Sequence, residues 1–456
     1  MDNFTIKEIL EATGGKLIWG NPDVCVGGVS IDSRTIKKGE IFIAIKGERF
    51  DGHDYINEAL KKGASCIIAG RNKAVPLQND LPCNFIAVED ANAALSGMAY
   101  YHRKRFNIPV IAVTGSNGKT TTKEMLVSLL ASKYRVAKNE GTQNNLIGVS
   151  LNLLKLRSSH EIAVFELGTN HFGEIAQLSR LLAPQVGIIT NVGPAHLEFF
   201  KDIRGVLEEK WSLIEELSWP RIAILNVDDP VLREKAADNS RDVTIFTFGI
   251  EQRADFVARK ITLGKKSLNF FLKNFPLTLN TVARHNIYNA QAAYAAARLF
   301  SIDAYDIINV LKRFKMPSSR FEVKKINGFN VIDDAYNANP VSFHCAIEAF
   351  SRISAKGKKI AVIGDMLELG KEKEDYHRQL GQLLGKADLD MIIALGSMSH
   401  IACDCAKSCG FNPEAVHKCF SAKEARDILF SKAGKNDVIL LKGSRGMRLE
   451  EILNIV

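Results

Sequence analysis

VIAVTGSNGKTTTKEML, residues 110–126, joins an apolar run to a glycine-containing loop and then to a segment that opens on three threonines. The apolar run predicts a buried strand, and the segment after the loop predicts a helix. The loop is similar to the phosphate-binding pattern G-x-x-x-x-G-K-[ST], but Val113 stands where that pattern has its first glycine. The stretch therefore predicts a strand–loop–helix unit with an incomplete phosphate-binding pattern.

Strands and helices alternate along the chain from about residue 109 onward. The apolar strand candidates are 110–115, 161–168, 185–193 and 221–229, and helical stretches such as 120–133 and 203–218 lie between them. This alternation predicts a parallel sheet with helices on both faces. After residue 241 the runs TIFTFG, DFVARKITL and KSLNFFL are short and alternating, which predicts a small antiparallel addition.

The chain divides into three predicted domains. KMPSSRFE, residues 315–322, contains a proline and two serines and is typical of a domain junction, and a second α/β pattern follows it. A smaller α/β unit with its own strands precedes residue 109. A chain of 456 residues is also too long for one core, because single cores stop growing near ~250–300 residues. The predicted domains are 1–108, 109–316 and 317–456.

The composition excludes several classes of protein. The chain is 46% apolar and 24% charged, and it has no apolar run of the ~18 residues that a membrane span needs. Eight scattered cysteines without a secretion signal predict free thiols, and the spacing from Cys403 to Cys419 lacks the C-x-x-C pair of a zinc site. The formal charge of +9 is dispersed and forms no stripe for nucleic acid. We expect a cytoplasmic protein without a nucleic-acid partner.

The loop after the first strand has the residue types that phosphate binding requires. Its backbone N–H groups and a helix N-terminus form a concave site for oxyanions. Lys119 is placed to reach terminal phosphates, and the Thr120 hydroxyl is placed to bind Mg²⁺. The alternative is a strand-to-helix turn with an N-cap threonine and an exposed lysine. The predicted nucleotide-binding residues of the loop are Gly115, Ser116, Asn117, Gly118, Lys119, Thr120 and Thr121.

Two polar residues lie at the ends of the next two strands. Glu166 lies near the end of strand candidate 161–168, and His196 lies in the loop after 185–193. Because the carboxyl ends of parallel strands meet at one edge of a sheet, Glu166 is placed to hold Mg²⁺ beside the phosphate loop. Each residue also has a plainer interpretation, Glu166 as a solvent-facing acid and His196 as a structural histidine.

Lys210 interrupts the apolar stripe of the helical stretch 203–218. The residues three and four positions away on either side are apolar, whereas Glu208 and Glu209 are predicted to point elsewhere. This placement predicts a special role for Lys210. The alternative is a side chain that snorkels past the core to reach water.

Seven motifs are spread along almost the whole chain: TGSNGKTTTKEML, ELGTNHFGEI, NVGPAHLEFF, RHNIYNAQAA, DDAYNANP, GDMLELG and LKGSRGMR. In this order they resemble the Mur ligases, and within that family they are most similar to the MurF type. DAYNANP and GDMLELG carry the resemblance to this type, whereas GSNGKT marks only the superfamily. The loop of the family resembles T-G-[TS]-N-G-K-[TS] and does not use the distant first glycine, so Val113 is no defect.

The resemblance implies ATP-dependent amide ligation. The γ-phosphate of ATP passes to the terminal carboxylate of one substrate, and an incoming amine attacks the resulting acyl phosphate. For the MurF type the implied substrates are UDP-N-acetylmuramoyl-tripeptide and D-alanyl-D-alanine, in peptidoglycan precursor synthesis, and a monomer is expected. The third residue of the tripeptide stays open. The alternatives are another amide ligase, of the MurE, folylpolyglutamate synthase or cyanophycin type, and a nucleotide-binding regulator with a degenerate active site.

The resemblance also implies roles for the polar residues near the loop. Thr120 and Glu166 match ligands of one Mg²⁺, and His196 matches a ligand of a second. Lys210 matches a lysine that carries a carbamate from CO₂ in many family members. That reaction requires an uncharged amine, and a place on an apolar stripe helps to lower the pKa of a lysine. The predicted catalytic residues are Lys119, His196 and Lys210.

Residues further along the chain match nucleotide-binding positions of the family. Asn286 and Asn289 resemble the residues beside adenine, and the alternative is a helix cap with a polar surface residue. Arg320 resembles the arginine that approaches the phosphates when the domains close. Asp334 resembles a residue of the third domain that closes on the nucleotide.

The remaining matches concern the other substrates. Asn337 and Asn339 resemble the third-domain segment that closes on substrate, and the alternative is an Asx-rich turn before a helix that starts at a proline. Ser33 and Arg34 match residues near the UDP moiety, with an ordinary surface arginine as the alternative. The motifs GDMLELG and KGSRG are expected to bring Asp365 and Arg445 near the third-domain cleft.

Overall fold

The computed structural model describes residues 3–47, 50–72, 83–238, 242–264 and 266–453. The helices and strands of these residues form three groups, and each group surrounds its own principal sheet. The fold is therefore a mixed α/β architecture, as the sequence predicted.

The first group surrounds a mixed sheet with the strand order β2-β7-β6-β5-β4 in the described residues. Strands β4 to β7 pair in parallel, and β2 pairs antiparallel to β7. The strands are β1 Phe4–Thr5, β2 Lys16–Trp19, β3 Cys25–Val26, β4 Val29–Ser30, β5 Ile41–Ile43, β6 Cys66–Gly70 and β7 Asn84–Val88. The helices are α1 Ile6–Thr13, α2 Ile56–Lys61 and α3 Ala91–Lys104.

The central group surrounds a large sheet with the order β16-β15-β14-β13-β12-β11-β8-β10-β9 among the described strands. The strands are β8 Val110–Thr114, β9 Val136–Lys138, β10 Ile162–Glu166, β11 Val186–Ile189, β12 Ile222–Asn226, β13 Thr244–Gly249, β14 Phe256–Leu263, β15 Leu268–Leu272 and β16 Phe275–Leu279. The helices are α4 Lys119–Leu130, α5 Leu146–Leu153, α6 Glu174–Leu182, α7 Leu197–Phe200, α8 Ile203–Glu215, α9 Pro230–Ala237, α10 Asn286–Leu299 and α11 Ala304–Arg313.

Strand β8 shows how the central sheet is covered on both faces. Val110 and Ala112 belong to one apolar core, which also contains residues of α3, α5, α6 and α8. Ile111 and Val113 belong to a second core, which contains residues of α4, α10 and α11. Val113, which stands where the phosphate-binding pattern has its first glycine, is thus buried in the core against which helix α4 packs.

The predicted antiparallel addition is only partly correct. Strand β13, the run TIFTFG, pairs in parallel with β12 and extends the parallel sheet. Strand β14 begins in parallel with β13, and the antiparallel pairing starts between β14 and β15 and continues to β16. Short alternating runs indicate half-buried strands, but they do not state strand direction, which here follows from helix α9 between β12 and β13.

The last group surrounds a sheet with the order β17-β18-β22-β19-β20-β21 in the described chain. Its strands are parallel except for β17, which pairs antiparallel to β18. The strands are β17 Glu322–Ile326, β18 Phe329–Asp333, β19 Lys359–Gly364, β20 Met391–Leu395, β21 Val416–Cys419 and β22 Val438–Lys442. The helices are α12 Pro340–Ser351, α13 Lys373–Lys386, α14 Ser397–Ser408 and α15 Ala422–Lys432.

The strand order fixes where a ligand can bind. Strand β8 lies between β10 on one side and β11 on the other, so the chain connections diverge from β8 in opposite directions. In doubly wound folds a crevice forms at such a point, outside the carboxyl ends of the strands. The loops after β8, β10 and β11 therefore meet at one edge of the sheet.

In the described part of the chain, every helix is too short or too polar to span a lipid bilayer.

Gly205→Ala should destabilise the central group. A methyl group at this position of α8 would lie 2.2 Å from the backbone oxygen of Phe200, which is not free to move aside. Despite the better helix propensity of alanine, we expect a net loss of about 1–3 kcal/mol from overpacking. The midpoint of thermal unfolding, followed by circular dichroism, measures the effect. Glu208→Ala, on the exposed face of the same helix, is the control, and equal midpoints for the two variants would contradict the prediction.

Candidate active site

The loop between β8 and α4 has a backbone that side chains would disrupt. Gly115 has φ +147° and Gly118 has φ +83°. A Cβ at residue 115 would lie 1.9 Å from Oγ1 of Thr190, and a Cβ at residue 118 would lie 2.3 Å from Oδ1 of Asn289. Two neighbouring segments thus press against the loop. Both positions therefore require glycine.

The loop is held in shape by the segment that follows β11. The Ser116 hydroxyl donates to the Gly193 carbonyl (3.0 Å), and the Asn117 N–H donates to Oδ1 of Asn191 (2.9 Å). The Thr190 hydroxyl donates to the Asn117 carbonyl (2.5 Å). In the structure as described, no side chain caps the N-terminus of α4 at Gly118. The first N–H groups of α4 are therefore available to an anion, as phosphate binding requires.

Glu166 connects the loop helix to the end of strand β10. Its side chain is buried, with 1% exposure. Oε2 accepts a hydrogen bond from the Thr120 hydroxyl (2.8 Å), and Oε1 accepts one from Nδ2 of Asn144 (2.7 Å). Nζ of Lys119 donates to the Gly115 carbonyl (2.7 Å) at the same strand edge. The predicted pair Thr120 and Glu166 is thus in direct contact.

The Thr120 and Glu166 pair fits a magnesium ion. A hydroxyl and a carboxylate are hard oxygen donors, and Mg²⁺ usually takes one or two protein ligands of this kind together with phosphate oxygens and water. Among the described residues, no group of three or more His, Cys, Asp and Glu side chains forms a ready-made metal cage. The donor set is that of an ion bound together with a nucleotide.

Asn139, Asn144 and Lys123 support Glu166, and the sequence prediction missed all three. Asn139 pairs with both the N–H and the carbonyl of Glu166 (2.9 and 3.0 Å). Lys123 is fully buried in α4 and donates to the carbonyls of Asn139 and Gly141, at 2.9 Å each. The only signal in the sequence was the polar segment NEGTQNN after the short strand β9.

His196 lies in the loop after β11, at the start of α7, with φ +55°. Its Nδ1 contacts Oε2 of Glu368, a residue of the last group. The backbone of the same two segments is also joined, because the Glu198 N–H donates to the Glu368 carbonyl (3.2 Å). The hydrogen bond from His196 lowers the pKa of Glu368, so this side chain is a carboxylate at neutral pH. Sequence analysis did not single out Glu368.

Lys210 is buried in α8, with 2% exposure. Burial, and secondly the positive charge of Lys119, lower the pKa of Lys210 to about 7. This burial agrees with the place of Lys210 on the apolar stripe of the helix, and the special role predicted for it stays a prediction. Glu209, which is predicted to point elsewhere, is buried as well, and its carboxylate faces the N-terminus of α6.

The Glu209 carboxylate is used by backbone groups of another segment. It accepts hydrogen bonds from the N–H groups of Gly173 (2.6 Å) and Ile175 (2.7 Å) and from the Thr169 hydroxyl (3.1 Å). Glu209 thereby caps the N-terminus of α6 and holds the loop that follows Glu166. Because its partners lie 34 to 40 residues away, helix periodicity gave no signal for this role.

Asn286 and Asn289 lie on the first turn of α10, behind the phosphate loop. Nδ2 of Asn289 donates to Oδ1 of Asn286 (2.9 Å), and Oδ1 of Asn289 accepts from the Thr122 hydroxyl (3.2 Å). Both side chains are buried, and both line the cleft described below. They lie beside the phosphate loop.

Residues of the last group meet the phosphate loop from the opposite side. The Arg320 guanidinium donates to the Thr120 hydroxyl (3.1 Å) and stacks on the ring of Tyr336 at 3.8 Å. Asn117 and Asn339 exchange two side-chain amide hydrogen bonds (2.9 and 3.2 Å). The central and last groups are thus in polar contact around the loop.

Asp334 and Asn337 are bound to the buried ammonium group of Lys442. Nζ of Lys442 lies 2.7 Å from Oδ2 of Asp334 and 3.3 Å from the Asn337 carbonyl. Asn339 is the N-cap of α12, so the Asx-rich turn of the alternative interpretation is present as well. The turn and a place in the cleft are compatible, because Asp334, Asn337 and Asn339 all line it.

These segments enclose a cleft with a volume of about 700 Å³. Of the predicted site residues, it is lined by Ser116, Asn117, Gly118, Lys119, Thr121, Glu166, His196, Asn286, Asn289, Arg320, Asp334, Asn337 and Asn339. Thr120 lies on an adjoining cavity that shares Arg320 and Tyr336 with the cleft. Most of the predicted positions are thus brought together.

Ser33 and Arg34 lie away from the cleft, and of Asp365 and Arg445 only Arg445 lines it. Ser33 is buried and donates to Oε2 of Glu58 (2.9 Å), and the exposed Arg34 pairs with Asp32 (2.8 Å), both in the first group. Arg445 lines the cleft. Asp365 instead accepts from the Ser399 N–H (2.7 Å) and holds the N-terminus of α14.

Glu209→Gln should destabilise the region around α6. A glutamine amide presents an N–H group where Gly173 and Ile175 both need an acceptor, which leaves at least one buried donor without a partner. We expect a loss of about 1–3 kcal/mol. Hydrogen exchange of the amides of residues 173–175 measures the local effect, and Glu208→Gln is the matched control. Unchanged protection of these amides would show that the cap is dispensable.

Family models match three consecutive parts of the chain. They are described as Mur ligase family, catalytic domain (residues 26–110), Mur ligase middle domain (residues 113–297) and Mur ligase, glutamate ligase domain (residues 319–445). Similar solved structures include a MurF from Acinetobacter baumannii, with a TM-score of 0.89 and 30% identity over 99% of this chain and 98% of that one. A MurF ligase from Thermotoga maritima in complex with ADP has a TM-score of 0.80 and 32% identity, covering 94% of this chain and 96% of that one.

Curated relatives extend the similarity over the full length. The UDP-N-acetylmuramoyl-tripeptide–D-alanyl-D-alanine ligase of Bacillus subtilis is 34% identical, covering 98% of this chain and 97% of its own. The enzyme of the same name from Escherichia coli is 32% identical, covering 99% of this chain and 98% of its own. With the phosphate loop, the strand order and the cleft between the central and last groups, these matches show that the chain belongs to the Mur ligase family, among the ligases of the MurF type.

Proposed function

We propose that this chain is an ATP-dependent ligase that joins D-alanyl-D-alanine to UDP-N-acetylmuramoyl-tripeptide in peptidoglycan precursor synthesis. The names of the curated relatives support this reaction. The observation that carries the proposal is one cleft in which the phosphate loop, Glu166, His196 and the last group meet. Such a cleft suits transfer of a phosphoryl group to a carboxylate, followed by attack of an amine.

The chemistry explains why phosphate comes first. A carboxylate is a poor electrophile, so the terminal carboxylate of the tripeptide takes the γ-phosphoryl group of ATP and releases ADP. The amine of the dipeptide then attacks the acyl carbon, the new C–N bond forms, the nitrogen loses one proton to solvent, and phosphate leaves with the electrons of the broken C–O bond. Lys119 and the N–H groups of α4 would stabilise the negative charge on the phosphoryl oxygens.

We assign the metal positions by combining the geometry with the family resemblance. Thr120 and Glu166 would hold one Mg²⁺, and His196 with a carbamate on Lys210 would hold a second. Bound Mg²⁺ supplies positive charge to the phosphoryl oxygens. The Glu166 carboxylate is held in place for this role, because it is buried and each of its oxygens accepts a hydrogen bond.

The carbamate on Lys210 requires an uncharged amine. The neutral Nζ attacks the carbon of CO₂, an N–C bond forms as one C–O π bond breaks, and one proton is released, so that a neutral amine becomes an anionic carbamate. A pKa of about 7 makes this amine available at neutral pH. The charge of the Glu209 carboxylate, whose oxygens accept from backbone N–H groups, raises the pKa of Lys210, but by less than burial and the charge of Lys119 lower it.

The remaining positions divide among the substrates. We assign residues 1–108 to the UDP moiety through Ser33 and Arg34, residues 109–316 to ATP, and residues 317–456 to the closing domain. Asn286 and Asn289 would contact the adenine side. Arg320, Asp334, Asn337 and Asn339 would close on nucleotide and substrate from the last domain, which their places around the cleft support.

Phosphate release tests the reaction. The purified protein with ATP and Mg²⁺ should release phosphate only when UDP-tripeptide and D-alanyl-D-alanine are both present, because the acyl phosphate needs both partners to turn over. Release with glutamate and a folate instead would refute the assignment. Lys119→Ala should abolish release while the circular dichroism spectrum stays unchanged, and Lys133→Ala, at an exposed position three residues after the end of α4, should leave release intact.

Carbon dioxide dependence tests the role of Lys210. Below pH of about 7 the amine is protonated and has no lone pair for CO₂, so carbamate should accumulate only as the pH rises through this value. ¹³C NMR of the protein with ¹³C-labelled bicarbonate should show one slowly exchanging carbamate signal. Lys210→Arg keeps the positive charge but should lose both the signal and turnover. A wild-type spectrum without this signal at pH 8 would exclude the modification.

A further inference from the structure

The contact between His196 and Glu368 joins two parts of the molecule that are far apart in sequence. His196 belongs to the loop after β11, and Glu368 belongs to the loop between β19 and α13, 172 residues later. Two interactions link these loops: the side-chain contact, and the bond from the Glu198 N–H to the Glu368 carbonyl (3.2 Å). One residue of the last domain thus meets the central domain with both its side chain and its backbone.

The loop that carries Glu368 is firmly anchored on its own domain. The Leu367 N–H donates to the Ser444 hydroxyl (2.9 Å), and the Met366 N–H donates to Nε2 of His377 (3.0 Å). Leu369 is buried in the core of the last domain. Between these anchors Glu368 adopts φ +61°, a left-handed conformation that few non-glycine residues take. This left-handed conformation costs backbone energy, and residues held in such conformations are often functional.

The direction of the hydrogen bond decides which nitrogen of His196 stays available. An ionised carboxylate can only accept, so Nδ1 must carry the proton. In a neutral imidazole the lone pair then lies on Nε2, which is a common ligand atom for metals. Metal-binding histidines usually donate their other N–H to a carboxylate or carbonyl, which fixes the tautomer and the direction of the ring.

We propose that Glu368 is the positioning residue for His196, and that the last domain completes the second metal position by supplying this carboxylate when it packs against the central domain. The inference rests on the proposed metal-binding role of His196. It adds a requirement: the second position binds a cation well only while the two domains are in contact. A cation at this position would then report that the last domain is already in place.

The test measures metal binding rather than activity. Mn²⁺ replaces Mg²⁺ as the probe, and electron paramagnetic resonance counts free Mn²⁺ in the presence of the full-length protein, a non-hydrolysable ATP analogue and UDP-tripeptide. The wild type should bind two Mn²⁺ ions. Glu368→Ala should bind the second ion about tenfold or more weakly, while the affinity for the first stays unchanged. Glu374→Gln, at an exposed ion pair on α13, is the matched control and should bind like the wild type.

Two further variants separate orientation from a general structural effect. Glu368→Gln keeps an oxygen that accepts from Nδ1, so it should recover part of the affinity for the second ion, and a loss equal to that of Glu368→Ala would overturn the proposal. His196→Ala should lose the second ion to at least the same degree, and adding Glu368→Ala to it should cause no further loss. Additive losses would show that Glu368 does not act through His196.

The outcomes distinguish this inference from the proposed function. A wild-type protein that binds only one Mn²⁺ would refute the second metal position itself. Two ions in the wild type with unchanged affinity in Glu368→Ala would refute only the role of Glu368. Small-angle X-ray scattering of the same liganded samples should give equal radii of gyration for wild type and Glu368→Ala, because the backbone contact to Glu198 remains. An expanded Glu368→Ala variant would make Glu368 a clasp between domains instead, and would overturn the proposal.

Discussion

The site depends on one buried carboxylate. Glu166 ends strand β10, and its two oxygens are shared between Thr120 of the loop helix and Asn144 of the segment after β9. A buried carboxylate is costly unless its oxygens accept hydrogen bonds, and here the chain supplies the donors itself. The three segments are therefore held in register before any ligand arrives. The support continues to Lys123, whose buried ammonium fixes the carbonyls of the segment that carries Asn144. Helix α4 thus contributes to both ends of this network.

Local patterns predicted the parts of the site that local geometry determines. The phosphate loop could be predicted because its glycines, lysine and threonine are adjacent in sequence. The place of Lys210 on an apolar stripe could be predicted because helix neighbours three and four positions away share a face. The family resemblance then supplied roles that no spacing gives, such as those of Asn286 and Arg320.

Long-range partners explain what the sequence did not reveal. The capping role of Glu209 could not be predicted because its partners, Gly173 and Ile175, lie at the start of another helix. Glu368 was hidden for the same reason, since its partner is 172 residues away. The direction of β13 was mistaken because an alternating run is compatible with both parallel and antiparallel pairing. In each case the partner or the strand direction is set by contacts between distant parts of the chain, which local sequence patterns do not encode.

The apolar core that the first and central groups share has a consequence for how a long substrate is read. Residues of α3 pack with residues of α5 and α6 in one cluster, and the buried Arg103 of α3 donates to the Leu182 carbonyl (3.0 Å) at the end of α6. The first and central groups thus share one apolar core, whereas the last group meets the phosphate loop through polar contacts. Such a shared core would limit changes in the distance from the proposed UDP position to the phosphate loop. The protein would then select peptides by length, because only a peptide whose terminal carboxylate reaches the γ-phosphate could react.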